Sequence, residues 1–411
     1  MTLGVFWDGQ QIGRLTRTEE RSRDYSFEYT DPSRTISLSL PARQEHFIPA
    51  ETRPFFEALL PEGAVRDQMA SQFKLAASDS YGLLAELGRD CAGALQIVAQ
   101  KRMSDPPAVR WLSAEELDKL IEDLPRHPFG VRPEDGRLRL SLAGVQRKAV
   151  LVRDEEGRFG EPLSGMPSTH ILKPDLPGCE DSNLATNEYF CMKLADRCGL
   201  PVANVELMSI AGRSCVVVER YDRDRTRWPP GRVHQEDLCQ ALGLTPDFKY
   251  QRPGESVPSY RALADLLDAH SAQPGVDRLN AARGAIFNLI VGNADAHAKN
   301  ISLLHENGGV ALAPMYDLVS TAAYPQLTDE LSLSIGDEFD PARVSLAEWG
   351  DLAIDLHLQP RAFGRERRRL ASLIAEEALA LRDEALQGQW HHETLDAIVD
   401  LVETRAARAA A

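Results

Sequence analysis

The chain has 411 residues, 43% hydrophobic and 26% charged, the balance of an ordinary folded protein with core enough for two or three domains. No apolar run reaches the roughly 18–20 residues that span a bilayer, and MTLGVFWDGQQIGRL lacks the basic and apolar regions of a secretory signal, so a cytoplasmic protein with no membrane partner is expected. The net charge of −16, from 46 basic and 62 acidic residues, argues against stand-alone nucleic-acid binding, because the cations that contact phosphate are in deficit. A local basic patch or a basic partner remains open.

The N-terminal stretch reads as β structure. Leu3, Val5 and Trp7 alternate, Asp8-Gly9 marks a hairpin turn, and Ile12 and Leu15 follow. Phe27 with Tyr29, then Ile36, Leu38 and Leu40, predict two more strands. Arg53 to Leu60 turns helical, and after GLLAELGRDCAGALQI a linker is expected at Ser104-Asp105-Pro106-Pro107. Ser113 to Glu116 is a capping box that opens a short helix. Strands are predicted over Arg137–Leu142, Ala149–Val152 and Thr169–Lys173, then a helix from about Asn183 to Cys198 with Ala185, Tyr189, Met192 and Ala195 on one face. Cys215 to Glu219 is a buried strand, and from His234 the pattern is mostly helical, with Leu370, Ile374, Ala378 and Leu381 on one apolar face. The six cysteines form no CxxC pair, so reduced, mostly buried thiols are expected rather than a zinc site or a disulfide framework.

Chemistry concentrates in Phe287–Ser320, where Asp295, His297, Lys299 and Asn300 fall within six residues and Asp317 follows a strand-like segment. Asp295 has the character of a general base that accepts a hydroxyl proton, and Asn300 lies at the Asp-to-Asn spacing of the kinase motif H-R-D-x-x-x-x-N. Asn300 and Asp317 would then hold Mg²⁺, a hard ion satisfied by one or two carboxylates plus phosphates. His297 and Lys299 would lie near the transferring phosphate or brace the loop. Two alternatives stand beside this: a transition-metal hydrolase site built on Asp295, His297 and His305, or a merely polar loop at a helix end.

Other features fit a nucleotide site without establishing one. The small-residue turn in SLAGVQRK would let backbone N–H groups approach phosphates with Lys148 adding charge, and equally fits a plain hairpin. Lys173 on its strand and Glu188 on the next helix resemble the strand lysine and helix glutamate of protein kinases; the plain readings are a snorkelling strand-end lysine and, favoured for Glu188, a solvated helix face. Glu219-Arg220-Tyr221 sits where a kinase hinge would present its backbone to adenine, or is an ordinary strand terminus.

Taken in order, FFEALLPEG, GLLAELGRDCAGALQ, SLAGVQRK, THILKPD, NEYFCMKLA, VVERYDR, GNADAHAKN and PMYDLVST resemble the HipA family of bacterial serine/threonine kinases, the toxins of type II toxin–antitoxin systems. The resemblance runs nearly the length of the chain. It implies an α+β, bilobal, protein-kinase-like fold: an N-terminal α/β module over 1–108, a β-rich ATP-binding lobe over 109–222 and an all-α catalytic lobe over 223–411. It implies ATP and Mg²⁺ as cofactors, Asp295 as the catalytic aspartate, and Asn300 and Asp317 as metal ligands. Lys173 would contact ATP phosphates, Glu219 and Tyr221 would line the adenine hinge with Arg220 between them, and His297 would contact the nucleotide. Gly144, Gln146, Lys148 and Lys299 complete the expected ATP-binding set. Ser141 falls at the family's autophosphorylation position, where modification ejects the loop and inactivates the kinase, with Arg137 and Arg139 upstream to pair with the added charge.

The implied partners are a small helix-turn-helix antitoxin of HipB type, operator DNA held mainly through that antitoxin, and a protein substrate, for which aminoacyl-tRNA synthetases are the family precedent. A heterotetramer with an antitoxin dimer is one assembly consistent with this. Two competing functions are a catalytically weak co-repressor and a small-molecule kinase sharing the same Mg²⁺ logic.

Overall fold

In the computed structural model the described residues are 2–19, 23–42, 44, 46–99, 106–130, 147–175, 183–306 and 309–411. The expected strand over Arg137–Leu142, together with Ser141, Gly144, Gln146 and Cys179, lies outside them. The chain forms two compact units, Met1–Pro174 with Val217–Asp247, and Asp175–Val216 with Phe248–Ala411.

The first unit opens with β1 (Thr2–Trp7), β2 (Gln10–Arg17), β3 (Tyr25–Tyr29) and β4 (His46–Phe47), then α1 (Pro49–Ala58), α2 (Gly63–Gln72), α3 (Ser80–Leu87) and β5 (Leu95–Val98). The strands form an antiparallel sheet in the order β4-β3-β2-β1-β5. Asp8 and Gly9 both take positive φ, 50° and 77°, the geometry whose twist matches a two-residue hairpin. The register Leu3↔Leu15 puts Leu3, Val5, Ile12 and Leu15 in a core shared with Phe27, Phe55 and Phe56, all fully buried.

Ile36 to Leu40, expected as a strand, contains only the bridge Ser37↔Leu40. Side chains have taken the backbone groups a ladder would need. The Tyr29 hydroxyl accepts from Ile36 N at 2.9 Å and donates to Leu40 O at 2.6 Å, while Leu38 N donates to the Glu236 carboxylate at 3.0 Å.

A second antiparallel set comprises β6 (Ala108–Trp111), β7 (Ala149–Arg153), β8 (Phe159–Leu163) and β9 (His170–Pro174), ordered β9-β7-β8-β6. Between β6 and β7 lies α4 (Ala114–Asp123). Its capping box is formed as expected: Glu116 N donates to Ser113 Oγ at 3.2 Å and Ser113 N to Glu116 Oε2 at 2.9 Å.

Next come α5 (Leu184–Arg197), β10 (Val205–Ile210) and β11 (Arg213–Glu219), within which the chain passes from the second unit to the first. The short strands β12 (Arg223–Asp224), β13 (Gly231–Arg232) and β14 (Gln235–Asp237), with α6 (Leu238–Leu242), complete the first unit. Residues 217–247 thus group with the N-terminal module rather than with the helices that follow, and Ser37 bonds Glu236 at 2.5 Å while Gln240 bonds Phe55 O at 2.9 Å.

The second unit continues with α7 (Tyr260–His270), α8 (Pro274–Val291), the hairpin β15 (Ser302–Glu306) and β16 (Gly309–Leu312), α9 (Leu346–Asp355), α10 (Pro360–Gln387) and α11 (Glu393–Ala410). The region expected to be wholly helical therefore carries a hairpin. Leu370, Ile374, Ala378 and Leu381 of α10 are fully buried, the apolar face read from their spacing. In α5 burial extends round most of the helix and includes Phe190 and Glu188, both 0% exposed. Glu188 is not on a solvated face.

Candidate active site

The segment bearing Asp295 starts where α8 must stop. Gly292 takes φ 74°, and its backbone N–H closes the last helical turn. A Cβ there would lie 2.6 Å from Leu401 Cδ2 and 2.7 Å from Ala322 Cβ, so only glycine fits. The chain then turns through Asn293, whose N–H reaches Asn288 O at 2.8 Å. Thr321 Oγ1 accepts from Ala294 N at 2.8 Å and donates to Gly292 O at 3.0 Å, and Ser332 Oγ donates to Ala294 O at 2.5 Å. These bonds hold both sides of the turn immediately before Asp295.

Asp295 itself is half-exposed, with the buried imidazole of His297 4.0 Å from its carboxylate. The Asp295 carbonyl accepts from His297 N at 2.8 Å and from Asn300 Nδ2 at 3.0 Å. Asn300 is thereby fixed to the backbone of Asp295, five residues earlier, through its amide nitrogen. A single helical turn of the 3₁₀ type over Ala298–Asn300 completes the loop, with Lys299 buried.

Tyr316 ties this loop to Asp317. Its hydroxyl donates to Lys299 O and shares a hydrogen bond with Ser302 Oγ, both at 2.7 Å. The next residue, Asp317, takes φ 58°, a left-handed conformation that is uncommon outside glycine and most accessible to Asn and Asp. Asn300 and Asp317 offer an amide oxygen and a carboxylate, the hard donors Mg²⁺ prefers. Their fit to that ion is chemical: oxygen ligands only, few enough to leave positions for phosphates and water. Among the described residues no group of three or more His, Cys, Asp or Glu is placed to hold a metal, which removes the hydrolase trio of Asp295, His297 and His305.

Tyr250 is a member of this site that spacing did not assign. Its hydroxyl donates to Asp295 Oδ1 at 2.9 Å and its ring packs edge-on to His297, centroids 5.3 Å apart. Lys249 beside it accepts from Ala298 N at 3.0 Å through its carbonyl. The only signal in the sequence was a polar loop containing Lys249 and Tyr250, some 45 positions upstream of the aspartate.

The remaining expected ATP-binding residues belong to the first unit. Lys173 is 5% exposed and Lys148 7%. Because Ala149 is the register partner of Leu172, these two lysines flank the same end of the β7–β9 ladder. Lysines placed together at one end of a ladder are a chemistry that a phosphate can use. Glu219 pairs with Arg225 at 2.6 Å, and the Tyr221 hydroxyl donates to Gln235. Arg220, expected at the adenine hinge, turns its guanidinium into the protein: it donates to Asp222 Oδ2 at 2.7 Å, Ser168 Oγ at 2.8 Å and Cys91 O at 2.9 Å. Its side chain is structural, so a role toward nucleotide is left to its backbone alone, and the Arg220 N–H is already bonded to Thr169 O at 2.9 Å.

Comparison with known proteins agrees across the chain. Residues 140–384 match the HipA-like C-terminal domain, and residues 3–98 the HipA N-terminal domain. A Sinorhizobium fredii protein named "Putative kinase Y4mE" is 39% identical over 397 residues, covering 92% of this chain and 90% of the relative. The serine/threonine-protein kinase toxin HipA of Shewanella oneidensis is 34% identical over 345 residues, covering 80% of this chain and 77% of the relative. The solved complex of Shewanella oneidensis HipA with HipB and operator DNA superposes with a TM-score of 0.80 at 28% identity, covering 99% of this chain and 97% of the other. A match of this extent to both family domains, on an α+β fold shared with a solved HipA, makes the chain a member of the HipA family of kinases.

Proposed function

We propose that the protein is an ATP- and Mg²⁺-dependent serine/threonine-protein kinase that acts as the toxin of a toxin–antitoxin pair. The observation that carries this reading is the Asp295–Asn300 loop, whose aspartate is exposed to a substrate while its asparagine is bonded to the same backbone and tied through Tyr316 to Asp317. Asp295 accepts the proton of the substrate hydroxyl as the oxygen attacks the γ-phosphorus of ATP, and the bond from that phosphorus to the β,γ-bridging oxygen breaks with ADP as the leaving group. Tyr250 orients that carboxylate, and Asn300 and Asp317 would hold Mg²⁺. The ion, when bound, would supply charge neutralisation for the transferring phosphoryl group. Lys173 and Lys148 bind phosphate oxygens, with Glu219 and Tyr221 near the base.

Kinship with the Shewanella toxin supports three further parts of the proposal: a cytoplasmic setting, a HipB-like helix-turn-helix antitoxin, and operator DNA reached mainly through that antitoxin. The acidic charge of −16 fits a chain that leaves most phosphate contacts to its partner. Growth arrest would follow from phosphorylation of a cellular protein, aminoacyl-tRNA synthetases being the family precedent, and Ser141 is the proposed self-inactivation site.

Phosphoryl transfer rests on positioning and charge stabilisation, so losing either carboxylate removes most turnover. Asp295→Ala and Asp317→Ala are each expected to abolish label incorporation from γ-labelled ATP while circular dichroism and the unfolding midpoint stay near wild type. Wild-type incorporation by both variants would show the kinase reading to be wrong. Phosphoproteomics of cells expressing wild type against Asp295→Ala names the substrate.

A further inference from the structure

A second cavity, of about 310 Å³, lies wholly within the first unit and uses none of the residues assigned to phosphoryl transfer. Arg89, Arg227 and Arg232 line it together with Gln96 and one carboxylate, Asp8. Asp8 is already engaged, 3.2 Å from the Arg34 guanidinium. The rest of the wall is Val98 and the prolines at 107, 167, 229 and 230, with Ser164 and the glycines at 9 and 165.

Beneath the cavity lies a buried ion cluster with unequal charges. Among the described residues Arg220, Arg223 and Arg232 ion-pair with two carboxylates, Asp90 and Asp222. One positive charge is in excess. Burial, then the neighbouring Arg220 charge, pulls the Arg223 guanidinium down to about 10, as expected where cations outnumber anions in a low-dielectric site. Arg232 is the member that reaches the cavity. Its side chain is 9% exposed; Nη2 donates to Gly165 O at 2.9 Å and lies 3.3 Å from Asp90, while Nε is buried without a hydrogen-bond partner among the described residues. At the mouth Arg227 is 62% exposed, its nearest carboxylate, Asp224, 3.7 Å away. Gly231 makes room for that guanidinium, since a Cβ there would lie 2.7 Å from Arg227 Nη2.

We infer that this cavity is a binding site for a small organic phosphate monoester, separate from the nucleotide site. Guanidinium forks match phosphate oxygens in pairs, and a dianion would balance both the excess charge below and Arg227 above. Of the three clustered arginines, Arg232 is the one whose side chain lines the cavity, so a bound dianion would meet the excess charge there. The proline-rich wall accepts an apolar body, so a phosphate ester fits better than free phosphate.

The test is isothermal titration calorimetry on the full chain without divalent metal, at fixed ionic strength, with phenyl phosphate, inorganic phosphate and phenylacetate as probes. Phenyl phosphate is expected to bind wild type and Lys173→Ala alike, and at least about tenfold more tightly than either other probe. Arg227→Glu, a change at an exposed side chain that leaves the fold intact, is expected to weaken it by at least about tenfold. Arg232→Gln is expected to abolish binding, and the Arg227 variant keeps the test readable if that protein fails to fold. Absence of binding, binding unchanged by Arg227→Glu, or binding lost with Lys173→Ala would overturn the site. Equal affinity for inorganic phosphate or for phenylacetate would overturn the choice of a phosphate ester.

Discussion

Replacing Gly292 by alanine tests whether the turn ahead of Asp295 is as tightly specified as its contacts indicate. Two costs add. Gly292 sits at φ 74°, where a Cβ crowds the following carbonyl oxygen at a cost of about 1–2 kcal/mol. That Cβ would also lie 2.6 Å from Leu401 and 2.7 Å from Ala322, and inserting a methyl into a packed site costs about 1–3 kcal/mol. The sum is roughly 2–5 kcal/mol, and at about 2–4 °C per kcal/mol for a unit of this size the melting temperature should fall by roughly 4–20 °C. Ala322 N donates to Gly292 O at 3.0 Å and Thr321 bonds both Gly292 and Ala294, so displacement here moves the loop carrying Asp295. The assay is thermal unfolding of the full chain alongside label incorporation from ATP. Gly350→Ala is the control: it lies inside α9 with nothing within 4 Å of the added Cβ, and should be neutral or stabilising by about 0.4–1 kcal/mol. An unchanged melting temperature and unchanged incorporation in Gly292→Ala would refute the claim that this backbone position is fixed.

Tyr250→Phe keeps the ring against His297 and removes only the bond to Asp295; at about 0.5–1.5 kcal/mol for such a bond, phosphorylation should slow by roughly two- to tenfold with the melting temperature unchanged. A rate equal to wild type would remove Tyr250 from the site. Asp222→Ala strands two buried guanidinia and the Gly93 N–H, which reaches it at 2.7 Å, and should cost about 3–5 kcal/mol in urea unfolding of the first unit. The same cluster sets an acid response: burial opposes ionisation of Asp90 and Asp222, but the surrounding arginines outweigh it and hold both carboxyls below the usual range. Groups depressed in the folded state stabilise it fully above the unfolded value of about 3.9 and lose that contribution as pH falls through their folded values, so stability should drop below about pH 4. A stability profile flat across that range would contradict the cluster. Burial pushes the thiols of Cys91, Cys191, Cys198 and Cys215 up to about 12, so all four should resist alkylation at pH 8 in native protein and react in urea, read by peptide mass spectrometry.

Local signals in the sequence were legible where one element's own residues decide the outcome. The Asp8-Gly9 hairpin, the Ser113–Glu116 capping box and the apolar face of α10 each depend on neighbours a few positions apart, and each formed as read. Ile36–Leu40 failed because alternation cannot reveal that Tyr29 and Glu236 would claim its backbone groups. Arg220 is a related case. Its place after a strand suggests a hinge, while its guanidinium is turned inward by Asp222 two residues on together with Asp90, Ser168 and Cys91, more than fifty positions away. Glu188 reads as one polar residue on an amphipathic helix, and only the packing of the second unit shows that α5 is buried nearly all round.

The loop at Asp295 lies between these cases. Spacing alone pairs Asp295 with Asn300, and the bond from Asn300 Nδ2 to Asp295 O shows why five residues is a workable interval: one turn brings the amide back onto the carbonyl. What spacing cannot show is how much of the loop's placement comes from outside it. Its position depends on Lys249 on one side, on Thr321 and Ser332 on another, and on Tyr316 next to Asp317. Each tether is one backbone or side-chain bond, worth about 0.5–1.5 kcal/mol, so no single one fixes the geometry. Together they make the orientation of Asp295 depend on the segment that carries Asp317. An exposed aspartate on an otherwise unsupported turn would sample many orientations; held at both ends, it can meet a hydroxyl repeatedly in one arrangement, which is the contribution positioning makes to phosphoryl transfer.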